Sequence, residues 1–455
     1  MKKFIISLAA ISAASIMSAG AQELSSSYFL KNYMYGYRIN PAATSDRGFV
    51  GIALNNLGVS YQGNVGLASF LYPTSEGLVT GLHSSIPSST FLGNLEEVNR
   101  LSGGFDESIL ALGLKGNNSY TTVELNLKGN AALQLPYDIF DFLKNGSKEK
   151  STFNISDLNV NAKAYVELAA GYSRMFGDKL SIGARLKLLA GLGRVNAYMD
   201  NLNVSMTDQQ WSVSGNANVD FAVKGMTVGT KASAHGNGND ILDLSSTSFK
   251  ASGTSGFGAA ADLGIEYRPL DWLKVSASVV DLGGISWKNS VQAVTSGSTW
   301  TYSGADGLSI GGDSASGIGG QMTDAFDGLF GIAELHVKNQ ASSSYESLPM
   351  TLHAGVDATY GVLTAGVLFT HQNQQYASWS EARLGASCSF ANWLSVALSS
   401  GFGTYGTRLG FALSTCLGSV NLFAGCDSMF TQVSREFIPL NKTATNAYFG
   451  WNILF

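Results

Sequence analysis

After its first 21 residues the chain has no apolar run of about 20 residues, which excludes a membrane protein built from spanning helices. Charge is scarce: 13% of residues are Asp, Glu, Lys or Arg, and the formal net charge of -5 excludes the dense basic face that a nucleic-acid partner needs. Cysteine is nearly absent. Cys388, Cys416 and Cys426 fall in three separate strand-like runs; parity puts Cys388 and Cys426 with the apolar residues and Cys416 with the polar ones, beyond disulfide reach. No histidine or further cysteine lies near enough in sequence to suggest a metal site. Proline, at 7 residues, is outnumbered by 53 glycines and 18 tyrosines. Moderate hydrophobicity spread evenly along a Gly- and Tyr-rich chain is what alternating strands produce when half their residues face lipid and half face a lumen.

What is present supports that class at both ends. Lys2 and Lys3, an apolar stretch from Phe4 to Met17 and Ala19-Gly20-Ala21 ahead of Gln22 form a cleaved secretion signal over 1–21, so the mature chain is expected outside the cytoplasm, in the cell outer membrane. At the other end Phe449, Trp451, Ile453 and Phe455 share one face of a period-2 strand, with Tyr448, Gly450 and Asn452 on the opposite face. A final strand ending in Phe resembles the terminal signal of bacterial outer-membrane barrels. The expected organisation is a signal peptide at 1–21, a helix and hatch segment at 22–48, and a transmembrane antiparallel β-barrel at 49–455, all-β, of about 14 strands.

Phe29, Leu30, Tyr33, Met34 and Tyr37 recur at helical spacing from Leu24 to Tyr37, and then Asn40-Pro41-Ala42 breaks the helix, a pattern that reads either as a hatch folded into the barrel mouth or as a periplasmic lead-in helix packed against the first strands. Residues 70–105 lose alternation and read as a long loop with a short helix around 91–101; Pro136 to Asn145 reads as a helix with proline at its first turn. Residues 207–255 keep some alternation, as over 211–216, but fade into loop composition at 235–240 and are expected to form a long loop, and Phe330 to Lys338 reads as a barrel strand. The plainest hairpin spans 162–192 around Gly177-Asp178-Lys179. Its apolar face suits lipid. Its other face carries Lys163, Glu167, Arg185 and Lys187, each of which would cost about 2 to 4 kcal/mol at the bilayer midplane, so these side chains are expected to face a polar interior. The same code assigns Glu266, Arg268, Glu381 and Arg383 to the lumen.

One stretch carries a family resemblance. Gly256 to Pro269 includes Asp262-Leu263-Gly264-Ile265-Glu266-Tyr267-Arg268-Pro269, and after a turn comes Asp281-Leu282-Gly283-Gly284-Ile285-Ser286-Trp287. These strands resemble barrels of the long-chain fatty-acid transporter (FadL-like) superfamily, which includes PorV-like barrels. Tyr37-Arg38-Ile39-Asn40-Pro41-Ala42, Arg47-Gly48-Phe49-Val50 and Phe70-Leu71-Tyr72-Pro73 are similar to a Bacteroidetes outer-membrane barrel family of unknown function. The resemblance implies about 14 strands, an amino-terminal plug with Asn40, Pro41 and Ala42 as its motif, and contact with outer-membrane lipid. It implies two functions: passive uptake of a small hydrophobic or amphipathic molecule, or a secretion-associated role in which long extracellular loops bind a protein partner.

No catalytic or cofactor set emerges, and the chain is expected not to be an enzyme. Gly401-Phe402-Gly403-Thr404-Tyr405-Gly406 matches a dinucleotide fingerprint literally, but no helix follows to present its amino terminus to a phosphate. Gly312-Asp313-Ser314 lies in a low-complexity stretch, and none of the five histidines has a recognisable partner spacing.

Overall fold

The computed structural model describes residues 25–455 apart from 32, 67–68, 75–76, 251–252, 304–330, 332, 391–392 and 429–442; the signal peptide expected at 1–21 lies outside the described residues. Fourteen strands form the wall: β1 (Phe49–Gly63), β2 (Val98–Lys115), β3 (Ser119–Pro136), β4 (Asn159–Phe176), β5 (Leu180–Met206), β6 (Gly256–Leu270), β7 (Leu273–Val294), β8 (Met350–Tyr360), β9 (Leu363–Asn373), β10 (Trp379–Phe390), β11 (Leu394–Gly403), β12 (Gly406–Leu417), β13 (Val420–Ser428) and β14 (Thr443–Leu454). Each pairs antiparallel with the next. β14 returns to β1 with Phe49 opposite Leu454, and Gly48 and Phe455 exchange backbone hydrogen bonds of 3.1 and 3.0 Å. The ring is therefore closed. Closure leaves no strand edge unsatisfied in lipid, where an unpaired backbone group costs several kcal/mol.

Polarity follows from the pleat. Leu186 and Leu188 on β5 are 70% and 64% exposed, whereas Arg185 and Lys187, which alternate with them, are buried. Strands meet through turns of two or three residues at one end, including 116–118, 177–179, 271–272, 361–362 and 418–419, and both Gly48 and Phe455 lie at that end. Short turns mark the periplasmic side of such barrels. Exposed Tyr172, Phe176, Tyr267, Trp272, Tyr360 and Trp393 stand near these turns as an aromatic girdle.

At the opposite, outer end β5 and β7 run on past the ring. Their extensions pair with Trp211–Val223 and His336–Ser347, Trp300–Tyr302 pairs in turn with Trp211–Val223, and Met226–Lys231 pairs with Ile241–Phe249 beside them. Two expectations change here. Residues 207–255 are mostly strand rather than loop, because the long β5 and β7 offer edges that Ser- and Gly-rich sequence satisfies without a strong apolar alternation. Of the barrel strand expected over Phe330 to Lys338, Phe330 lies outside the described residues and the observed strand is His336–Ser347, which pairs along the outer part of β7 beyond the ring. Residues Ser88–Leu92 and Tyr137–Asn145 form the outer helices, and β2 already begins at Val98 inside the stretch expected to be loop.

Candidate functional site: the occupied lumen

Residues 25–47 lie inside the ring rather than beside it. The continuous helix expected over 24–37 is replaced by two 3-10 turns, Ser25–Phe29 and Gly36–Arg38. An amphipathic helix needs a solvent face. Here side chains on every side meet wall, so Phe29, Leu30, Tyr33, Met34, Tyr35 and Tyr37 are all buried, and short turns let each reach a different strand. These residues pack with Phe49, Ala111, Tyr120, Leu368, Ala397, Ala412, Phe423, Tyr448 and Leu454 into one apolar cluster that runs from the short strands β9 to β14 across β1 to the turn ends of β2 and β3. Tyr33 and Phe423 meet edge to face with centroids 5.2 Å apart.

The anchors of this plug are side-chain bonds. Ser387 Oγ donates to the Phe29 carbonyl at 2.6 Å, Ser278 Oγ to Ile39 at 2.6 Å and Ser181 Oγ to Ala42 at 2.7 Å. Tyr28 hydroxyl donates to Asp357 at 2.8 Å. Tyr35 hydroxyl lies 2.7 Å from Asn55 Oδ1 and 2.9 Å from Asn452 Oδ1. Asn55 reaches the lumen because β1 bulges there: Ala53 and Leu54 sit at φ 45° and 52°, and the Leu54 amide is held by Glu107 Oε1 at 2.7 Å. Among the described residues no backbone-to-backbone hydrogen bond joins 25–47 to the wall.

The Asn-Pro-Ala turn has its own seat. Asn40 Oδ1 accepts the Ala42 amide at 3.0 Å while Asn40 Nδ2 donates to the Ile265 carbonyl at 3.1 Å. Gly183 and Gly264 form the seat, since a Cβ at either would stand 2.0 Å from the Pro41 carbonyl or from Asn40 Oδ1. Only glycine permits that approach.

Opposite the apolar cluster, β2 to β7 present a buried ionic cluster. Arg38, from the plug, donates through Nε to Glu124 Oε1 at 2.9 Å and through Nη2 to Asn126 Oδ1 at 2.8 Å, with Nη1 3.3 Å from Asp106 Oδ1. Arg185 bridges Glu124 and Asp262, the latter at 3.0 Å. Lys187 lies 2.7 Å from Asp262 and 2.5 Å from Asp281, and Lys128 holds Glu167 at 3.2 Å and Asp106 at 3.4 Å. The two Asp-Leu-Gly motifs thus meet: the Asp281 amide donates to Asp262 Oδ1 at 2.8 Å, at a register break where Asp281 adopts φ 61°.

The remaining sequence-selected charges are distributed around the ring. Lys163 pairs with Glu346 at 2.5 Å, beside Arg194, which also holds Asp220 at 2.7 Å. Glu266 lies 3.7 Å from Lys274, itself 3.4 Å from Asp357. Glu381 and Arg383 pair at 2.8 Å, joined by Arg408 at 2.5 Å and by Asp427, 3.0 Å from Arg383. Arg268 is the exception, standing exposed at the turn end of β6 beyond the packed interior. Sequence reasoning missed Arg38, Asp106, Glu124, Lys128, Asp262 and Asp281 as lumen groups. The signal was present for Asp106, Glu124, Lys128 and Asp262, which sit on the inward parity of their strands, whereas Asp281 turns inward only at the register break. A cavity of about 50 Å³ touches this cluster near the outer ends of β8 and β9, between Lys128, Asn130, Tyr165, Asp281, Gln372 and Gln374. At roughly 10–15 Å³ per water it holds a few waters and no larger solute. Among the described residues no group of three His, Cys, Asp or Glu side chains is placed to hold a metal ion.

Comparison with known proteins adds the following. A family model described as a family of unknown function (DUF5723) matches residues 41–427. No curated protein matches. Among solved structures, a Pseudomonas aeruginosa FadL homologue aligns over 96% of this chain and 99% of its own at 9% identity and TM-score 0.46. The Pseudomonas putida toluene transporter TodX aligns over 95% and 96% at 9% identity and TM-score 0.44. The CymD monoaromatic hydrocarbon channel aligns over 97% and 98% at 10% identity and TM-score 0.43.

Proposed function

We propose, for a chain that belongs to the DUF5723 family of unknown function, that the barrel is a non-enzymatic passive channel for small hydrophobic or amphipathic molecules, shut by residues 25–47 and opened when they move. The observation that carries this is the way the plug is held. It occupies the lumen, yet among the described residues its hydrogen bonds to the wall all involve side chains, so it can shift without unpairing a strand. Its departure would bare Leu368, Ala397, Ala412, Phe423 and Tyr448 on one side and the ionic cluster on the other. A path with that cross-section suits a solute with an apolar body and a polar group. Asn40, Pro41 and Ala42 act as the hinge-side seat that returns the plug to register.

Native mass spectrometry of the barrel purified from its own membrane in mild detergent tests this. The expected result is a reproducibly co-purified small amphipathic molecule that is lost when 25–47 is deleted. An empty barrel carrying a stoichiometric protein partner would overturn it in favour of an interaction role for the outer extensions of β5 and β7.

A further inference from the structure

We propose that the cradle now filled by Arg38 is a recognition site for an organic cation, and that the plug's guanidinium stands in it for a guanidinium or ammonium group of the solute. This rests on the reading that residues 25–47 leave the lumen.

Geometry comes first. Glu124, Asn126 and Asp106 present three acceptors to one planar fork from neighbouring strands, at 2.9, 2.8 and 3.3 Å, and the Tyr35 ring lies 5.1 Å from the guanidinium carbon. Glu124 and Asn126 are fully buried and Asp106 is 3% exposed. Asp106 Oδ1 accepts no hydrogen bond among the described residues, so the cradle retains an acceptor that Arg38 approaches without saturating. Glu124, Asn126 and Asp106 belong to the wall and stay in place when the plug moves; Arg38 and Tyr35 do not.

Charge makes the same case independently. The central cluster holds five carboxylates, Asp106, Glu124, Glu167, Asp262 and Asp281, against Lys128, Arg185, Lys187 and the visiting Arg38. It is one negative charge in excess with the plug seated and two in excess without it. Among the described residues the neighbouring lumen bases Lys163, Arg194, Lys274, Arg383 and Arg408 are each bound to carboxylates of their own. Buried charge left uncompensated costs several kcal/mol, so withdrawal of Arg38 favours entry of another cation into the cradle. A group with N–H donors fits the site better than a bare metal ion, since the three acceptors are spaced for a fork.

The test removes the stand-in and supplies a substitute. In Arg38→Ala, millimolar methylguanidinium chloride should raise the unfolding temperature by several degrees over equal sodium chloride and over N-methylurea, its neutral isostere. Wild type should show no such shift, and Arg38→Ala combined with Glu124→Gln should lose it. An equal response to all three solutes, or an equal shift in wild type, overturns the proposal. Should Arg38→Ala fail to fold, the barrel lacking 25–47 gives a second measurement in a planar bilayer under a potassium chloride gradient. Its reversal potential should show cation preference that weakens in Glu124→Gln, and anion preference overturns the proposal. The two readings fail separately. A deleted barrel that stays closed while methylguanidinium still rescues Arg38→Ala refutes the gating, whereas an open, unselective barrel without rescue refutes the cradle.

Discussion

Deletion of residues 25–47 is expected to convert a silent barrel into a conducting one, with stepwise currents in planar bilayers where the full chain gives none. The reason is size. Eight strands make an interior that side chains fill, and sixteen to eighteen leave an aqueous channel; a ring of 14 lies near the open limit. Wall side chains alone are expected to leave such a lumen open. The plug contributes six large apolar side chains and Arg38, and takes up the room between the apolar cluster and the ionic one. Because the ring is closed through strand pairing alone, the deleted barrel should keep its strand content while losing the packing around Phe423 and Tyr448. A deleted barrel that is folded by circular dichroism yet electrically silent would mean that the wall shuts the lumen without help.

Replacing Arg185 with Met is expected to have the largest effect on stability. Arg185 is 3% exposed and joins Glu124 to Asp262, two carboxylates that are themselves fully buried. Removing one partner of a buried pair costs about 3–5 kcal/mol, because the remaining charge stays desolvated. Urea unfolding of the detergent-solubilised barrel should show that loss. Adding Glu124→Gln should recover part of it, since the two positions share one interaction and their effects are not additive. A loss below about 1 kcal/mol, the range of exposed ion pairs, would show that water reaches the cluster and that the lumen is not sealed.

Much of the wall was legible because strand alternation is local. The hairpin at 162–192 and the last strand with Phe449, Trp451, Ile453 and Phe455 facing lipid both follow from period-2 parity read over adjacent residues. The plug was legible as a segment but not as a shape. Its aromatic spacing imitates a helix, while the forces that fix it come from Ser387, Asp357, Asn55 and Glu124, between about 20 and 360 residues away, and no local pattern encodes those contacts. The same holds for the charges. Parity placed Arg185 and Lys187 inward, but their partners Asp262 and Asp281 lie across a junction between β5 and β6 whose register is set only on closure. The outer extension was read as loop because its pairing depends on how far β5 and β7 run, a property of the assembled sheet.

A covalent tether examines the central claim most directly. Ser26 Oγ and Ser399 Oγ are 2.6 Å apart, so a cysteine at each, in a chain with Cys388, Cys416 and Cys426 replaced by serine, should form a disulfide between plug and wall. Uptake of a small amphipathic dye into proteoliposomes should cease when this variant is oxidised and return when it is reduced. Uptake that is the same in both states would show that solutes pass without movement of the plug, and would contradict the account.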